Sequence, residues 1–136
     1  MTNFKLKVIK PEGVVFEKEV TSVTVETMDG QITILANHQT LVSALGKGEM
    51  VIKVGEEITP LFIWGGFLEF SNNTLTVLAH GAEQVKEIDI ELVQKAKQDA
   101  EALLADSSLA EPEYELLMEK LNKEKKKIEL FNKWRS

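Results

Sequence analysis

Cysteine is absent from the 136 residues, which excludes a disulfide framework and thiolate metal sites. Arginine occurs once, at Arg135, and histidine twice, at His38 and His80. The longest mostly apolar run without a charge or proline is Leu61 to Leu68. A bilayer-spanning helix needs about 18 to 20 such residues, so no segment is predicted to span a membrane. Residues 1–10 alternate lysine with apolar side chains, so no secretory signal core is visible. Basic residues are outnumbered 16 to 22, giving a net charge of -6. That balance argues against a dedicated nucleic-acid binder, which carries a basic surplus. These totals predict a soluble, intracellular protein.

Two absences are local. All eight glycines lie between Gly13 and Gly81. From Lys120 onward, six Lys and Arg135 face only Glu124 and Glu129, a local balance of +5. With +5 taken out of the total of -6, the first 119 residues hold -11. A compositional break this sharp predicts a domain boundary near residues 82–88. We place a β-sandwich domain at 1–84 and a two-helix hairpin at 85–136.

The glycine-bearing part reads as strands. Phe4, Leu6 and Val8 alternate with Lys5 and Lys7. Val23 and Val25, Ile32 and Ile34, Met50, Ile52 and Val54, and Leu75, Val77 and Ala79 repeat at the same period of two. That period turns one face of each strand toward a core. Turn signals such as Pro11-Glu12-Gly13, Asp29-Gly30 and Ser71-Asn72-Asn73 separate the runs. Asp29-Gly30 predicts a two-residue hairpin turn. Many short strands at this spacing predict a sandwich or barrel.

The glycine-free part reads as two helices. Asp89 is placed to cap the first, which carries Val93, Ala96, Ala100, Leu103 and Leu104 on one face. Asp106-Ser107-Ser108 breaks the pattern, and Pro112 fits the first turn of the second helix. There Tyr114, Leu117, Met118, Leu121, Ile128 and Phe131 share a stripe that Lys125 interrupts. The short connection predicts an antiparallel pair.

Catalytic constellations are missing. The chain has no glycine-rich phosphate loop and no H-E-x-x-H motif. His38 and His80 lie far apart in sequence and have no nearby carboxylate pattern for a metal. Ser43 sits near His38 without an elbow motif. This predicts no catalysis by the chain alone. Three features point instead to binding or turns. Gly65-Gly66 interrupts an apolar stretch, which marks a tight hairpin, a bulge or a close approach of a partner's backbone. Ala36 to Thr40 is a polar interruption between apolar runs, either a plain or a contact loop. The basic end is a solvated face or a dock for an acidic surface, with Trp134 as an aromatic anchor.

In order, these features resemble the epsilon subunit family of F-type ATP synthases. Gly30-Gln31-Ile32-Thr33-Ile34-Leu35-Ala36-Asn37-His38-Gln39-Thr40-Leu41 is similar to its Gly, Ile-Leu, Asn-His, Leu pattern. Trp64-Gly65-Gly66-Phe67-Leu68-Glu69 and Leu75-Thr76-Val77-Leu78-Ala79 resemble two of its strands, and Phe4 to Gly13 its opening strand and turn. The resemblance spans essentially the whole chain. Departures are Thr33 where the family often has Gly, and Ala36 and Thr40 where it often has Pro.

The resemblance implies a non-catalytic rotor subunit on the cytoplasmic face of a bacterial membrane, coupling a c-subunit ring and a gamma subunit to the catalytic head. It implies a c-ring contact at Asp29, Gly30, Gln31, Asn37, His38 and Gln39. It implies that the helices can rise and inhibit ATP hydrolysis. Lys120, Lys123, Lys125, Lys126, Lys127, Lys133 and Arg135 would then meet an acidic loop of the beta subunit among the alpha and beta chains. Some relatives bind ATP at the start of the first helix. Here Ile88-Asp89-Ile90-Glu91 fits that motif, with Glu83, Ile88 and Asp89 as the candidate nucleotide contacts, but Leu92 and Val93 stand where Arg and Ala are expected. Leu cannot form the bidentate phosphate contacts of a guanidinium, so no cofactor is expected. The rival reading is a nucleotide-sensing module whose hairpin closes over ATP. A weaker one is an adaptor gripping a partner helix.

Overall fold

The computed structural model describes residues 2–135. The chain divides into two compact units, Met1–Val85 and Lys86–Ser136.

The first unit holds eight strands: β1 (Phe4–Lys10), β2 (Gly13–Val20), β3 (Ser22–Thr27), β4 (Gly30–Leu35), β5 (Leu41–Val54), β6 (Glu57–Ser71), β7 (Thr74–Ala79) and β8 (Ala82–Gln84). They form a sandwich from one hydrogen-bonded sheet in the order β2-β1-β7-β6-β5-β3-β4, with β8 beside β6. All pairs are antiparallel except β1 with β7.

One sheet covers both sides of a core because its two longest strands turn a corner. In β6 the buried core residues are Leu61 and Ile63, then Leu68 and Phe70. A straight strand keeps one parity on one face, so the face changes between 63 and 68. Gly65 and Gly66 lie at the change, with φ of 74° and 125°. In β5 the parity changes between Leu45 and Met50, across Gly46 and Gly48. Leu45 pairs with Gly66 and Gly48 with Ile63, so the two corners are aligned. The core between the faces includes Phe4, whose ring meets Phe70 edge-on at 5.6 Å.

The Asp29-Gly30 signal marks the right turn but not its two central residues. Thr27 pairs with Gly30, so the loop is Met28–Asp29 and Gly30 begins β4. Gly30 supplies the left-handed φ of 115° that closes the turn. Buried Thr27 holds it from inside. Its hydroxyl donates to the Gly30 carbonyl at 2.6 Å and accepts from the Asp29 amide at 3.1 Å.

A short 3-10 turn (Val85–Glu87) leads to the second unit, helices α1 (Ile90–Leu104) and α2 (Glu111–Trp134). They pack on each other through a seam that includes buried Val93 and Ala100 of α1 and Leu121 of α2. Asp89 caps α1 by accepting from the Leu92 amide at 3.3 Å. At Ala110, before α2, the backbone amide donates to Glu113 at 3.4 Å, and alanine has no acceptor to complete the reciprocal bond. Two stripe positions differ from expectation. Tyr114 and Lys125 are exposed, and Glu124 is buried instead. At about 100° per residue, Leu121, Ile128, Leu117, Glu124 and Phe131 follow one another at steps of roughly 20°, so Glu124 lies inside that arc, while Tyr114 and Lys125 fall roughly 20–40° beyond Leu121 on the other side.

Candidate functional site

The residues expected at a c-ring contact occupy both ends of one strand. Asp29, Gly30 and Gln31 lie at the β3–β4 turn, whereas Asn37, His38 and Gln39 follow the other end of β4. Five residue steps along β4 separate Gly30 from Leu35, roughly 17 Å at strand rise. They therefore make two separate exposed clusters on an edge strand.

The second cluster is held by groups that sequence reasoning treated only as a turn. The Asn73 side chain accepts from the Asn37 amide at 2.7 Å and donates to the Asn3 carbonyl at 3.0 Å. Its own carbonyl accepts from the Lys5 amide at 3.2 Å. Asn73 thus joins the 36–40 loop to the start of β1. Asn37, Asn72 and Asn73 all have positive φ, a conformation asparagine tolerates better than most residues. His38 lies edge-on to Phe70 at 5.9 Å, and its Nδ1 donates to the Gln39 carbonyl at 2.8 Å. The loop is exposed but anchored, as a contact surface on a stiff scaffold requires.

Gly65-Gly66 lies inside β6 and is not a hairpin turn. A Cβ on Gly66 would overlap the Leu78 carbonyl oxygen and come within 2.8 Å of the Ala79 Cα. The close backbone approach comes from β7 of the same chain. Beside it, Phe62 and Trp64 stack at 5.8 Å, and the Lys47 ammonium lies 5.0 Å from the Trp64 ring centre.

The basic residues do not form a single stripe on α2. Lys120, Lys123 and Lys127 make one row at spacings of three and four, Lys126 and Lys133 a second, and Lys125 stands apart. Lys126 pairs with Glu129 at 3.1 Å, and Lys133 lies 5.3 Å from the Trp134 ring centre. Arg135 follows the helix as its C-cap.

Of the residues fitting a nucleotide motif, Asp89 is engaged as the α1 cap, Ile88 is buried, and Glu83 pairs with Phe62 across β8 and β6. Leu92 is 65% exposed and offers no phosphate ligand. Ser43 donates to the Ala44 carbonyl at 3.5 Å rather than to a histidine. Among the described residues no three of His, Asp and Glu gather in a metal-binding group. No helix among them is long and apolar enough to cross a membrane.

Comparison with known proteins agrees with this architecture. Residues 3–85 match the family described as the ATP synthase delta/epsilon chain, beta-sandwich domain. The ATP synthase epsilon chain of Lactobacillus gasseri is 33% identical over 117 residues, covering 83% of this chain and 80% of its own. That of Dehalococcoides mccartyi (strain CBDB1) is 41% identical over 106 residues, covering 78% and 76%. A chain in the cryo-EM structure of the Euglena gracilis mitochondrial ATP synthase, comprising OSCP, F1 and c-ring, shares the fold. Its TM-score is 0.66 at 22% identity, over 96% of this chain and 78% of that one. With the family match spanning residues 3–85 and epsilon chains 33–41% identical over more than three quarters of the sequence, the chain belongs to the ATP synthase epsilon family, a non-catalytic component of that complex.

Proposed function

We propose that this chain is a central-stalk rotor subunit of an F-type ATP synthase, peripheral to the cytoplasmic face of a bacterial membrane. Its sandwich couples the c-ring and gamma to the catalytic head. Its helical unit restrains ATP hydrolysis. The sequence relatives are epsilon chains, and the fold relatives come from a complex of F1 with a c-ring and from a central stalk with its c-ring. The coupling role follows from stiffness. The sandwich core is closely packed, and packed interiors transmit strain rather than absorb it.

The observation that carries the regulatory role is the separateness of the helical unit. It is a compact unit of its own, and α2 runs 24 residues without a break. At 1.5 Å per residue it is about 36 Å long, enough to reach deep into a large assembly. Its seam is narrow and includes buried Glu124, so the packed pair is only modestly stable. The Lys120–Lys123–Lys127 row, with Lys125, Lys126, Lys133 and Arg135, would meet an acidic surface of the head's beta subunit. The c-ring contact has two candidate clusters, the Asp29–Gln31 turn and the Asn37–Gln39 loop. The loop is favoured because Asn73 and Phe70 hold it to the sandwich.

ATPase rates of the whole complex, with and without residues 88–136, test the regulatory role. Truncation is expected to raise hydrolysis, and equal rates would sink it. Changing the lysines to Gln should relieve inhibition most at low salt, where exposed charges act at longer range. The reading leaves ATP out of the helical unit because the Asp89 carboxylate already serves the helix cap. Calorimetric titration of the isolated chain should show no binding, and micromolar affinity would favour the nucleotide-sensing alternative.

A further inference from the structure

The sheet order ends on β2 at one side and β4 at the other, and the two edges are finished differently. An edge strand offers unpaired backbone N–H and C=O groups, and sheet proteins blunt such edges with charge, bulges or a covering group. β2 has all three. It carries Glu17, Lys18 and Glu19, its ladder with β1 shifts register between Val8 and Ile9, and the Gln84 side-chain amide donates to the Val15 carbonyl at 3.3 Å. β4 pairs only with β3 among the described residues, and its ladder runs without a shift. No Asp, Glu, Lys, Arg or Pro occurs from Gly30 to Gly46. Gln31-Ile32-Thr33-Ile34-Leu35 is rich in residues that favour strands, and Leu35 is 56% exposed.

The register fixes which groups point outward. Thr27 and Gly30 close a two-residue loop, so they form a hydrogen-bonded pair, and so does every second pair after it. Gly30, Ile32 and Ile34 therefore bond to β3, while the backbone groups of Gln31, Thr33 and Leu35 point away from it. Of these, the Leu35 carbonyl already accepts from the His38 amide at 3.2 Å. A second β4 fits the outward groups on a two-fold axis at Thr33. Thr33 then meets Thr33 of the copy, and Gln31 meets its Leu35, in antiparallel pairs that add about four to six hydrogen bonds. Ile32, half-buried in the free chain, meets the copy's Ile34 on the core face. On the other face the Thr24–Thr33 hydroxyl contact at 2.9 Å becomes a ladder of four threonines. Charge selects this direction. Asp29 is the only Asp, Glu, Lys or Arg between Met28 and Gly46. A parallel pair would set two Asp29 carboxylates side by side, whereas the antiparallel pair sets each against the copy's Asn37, whose side-chain amide can donate to it.

We propose that β4 is a dimerisation edge: in the free chain it pairs antiparallel with β4 of a second copy, centred on Thr33. The pair covers the Asp29 turn and the Asn37 loop together, so it is a form of the unassembled chain. It does not rest on the rotor reading. Strands this short bury less than the roughly 1,200 Å² of a stable complex, so the pair is reversible, with a dissociation constant of about 10–100 μM.

Sedimentation velocity of the full chain, over a concentration series spanning that range, tests the proposal. Monomer is expected to give way to dimer. Amide exchange at Gln31, Thr33 and Leu35 should slow with concentration, while Val15 and Glu17 of β2 stay unchanged. Thr33→Pro removes an outward N–H without taking a bond from β3, a position where edge strands tolerate proline. Thr33→Lys leaves the backbone intact and sets two ammonium groups together on the axis. Each should raise the dissociation constant tenfold or more, and Glu19→Lys on β2 should leave it unchanged. If the proline variant fails to fold, the lysine variant decides alone. A chain that stays monomeric across the series would overturn the proposal. So would a dimer that Thr33→Lys leaves intact, or one whose new protection lies in β2 or in the helices.

Discussion

Gly66 lies directly under the Leu78 carbonyl, so close that even a methyl group there would overlap the oxygen. The contact exists because β6 corners at this point and β7 follows it without a gap. Gly66→Ala would add both that collision and the strain of a non-glycine residue at a φ of 125°. Overpacking and backbone strain each cost about 1–3 kcal/mol. Urea denaturation should show a loss of roughly 3 kcal/mol or more. A loss below about 1 kcal/mol would mean that β7 can retreat and the corner is soft.

Asn73→Ala removes one acceptor and one donor that tie the 36–40 loop to β1. Net hydrogen bonds contribute about 1 kcal/mol each, so a loss of roughly 1–2 kcal/mol is expected. Hydrogen exchange at the Asn37 amide should accelerate while amides of the Met50–Ile52 core segment keep their protection. Asn73→Asp keeps the acceptor for Asn37 and loses only the donor, so its Asn37 amide should stay protected. Equal exchange in both variants would show that the loop is held by something else.

Glu124 is buried between Leu117 and Phe131 on the wheel of α2, where an apolar residue would pack better. Glu124→Leu should stabilise the helical unit by about 1 kcal/mol, because burying a carboxylate opposes burial of the seam around it. Slower exchange of α1 and α2 amides in the full chain would show this. In the complex, the same variant should reduce inhibition, since a tighter pair opens less often. Unchanged or faster exchange would mean that Glu124 costs the seam nothing.

Asp106 titrates below its ordinary value of 3.8, first because the Ser108 hydroxyl donates to it at 2.7 Å and then because the Ser108 amide donates at 2.9 Å. A lowered folded value stabilises the inter-helix turn fully above the ordinary carboxylate range. That contribution fades as pH falls from there through the folded value. Carboxyl NMR titration should place the Asp106 midpoint below 3.8. Ser108→Ala should move it back toward 3.8, and Asp106→Asn should make the turn's stability flat across that acid range.

The sequence by itself determined β1, β3, β4, the end of β5, β7 and both helices, whereas β2, β6 and β8 carry no clear alternation. The reason is physical: alternation at period two and recurrence at three and four decide which side chains can reach one face. Val23 and Val25, or Val93 and Ala100, show their faces without a fold. Asp89, Asp106 and Pro112 announced the helix ends because their chemistry acts on residues next to them. Glu124 was missed because a charged residue ordinarily marks the solvent face, and only packing buried this one.

Tertiary structure decided everything that depends on register or on a long-range approach. Gly65-Gly66 was conspicuous in the sequence, yet only β7 shows what required it. Asn73 read as a turn residue until the 36–40 loop, 36 positions earlier, came within hydrogen-bond reach. The Asp29–Gln31 and Asn37–Gln39 clusters looked continuous along the chain, but a strand is extended and holds them apart. Ala44, Phe67, Leu78, Ile9 and Val14 line up as register partners with no signature in the chain order, because they come from five strands. Side-chain periodicity is local and can be read from sequence, whereas strand pairing is set by the closing of one shared core.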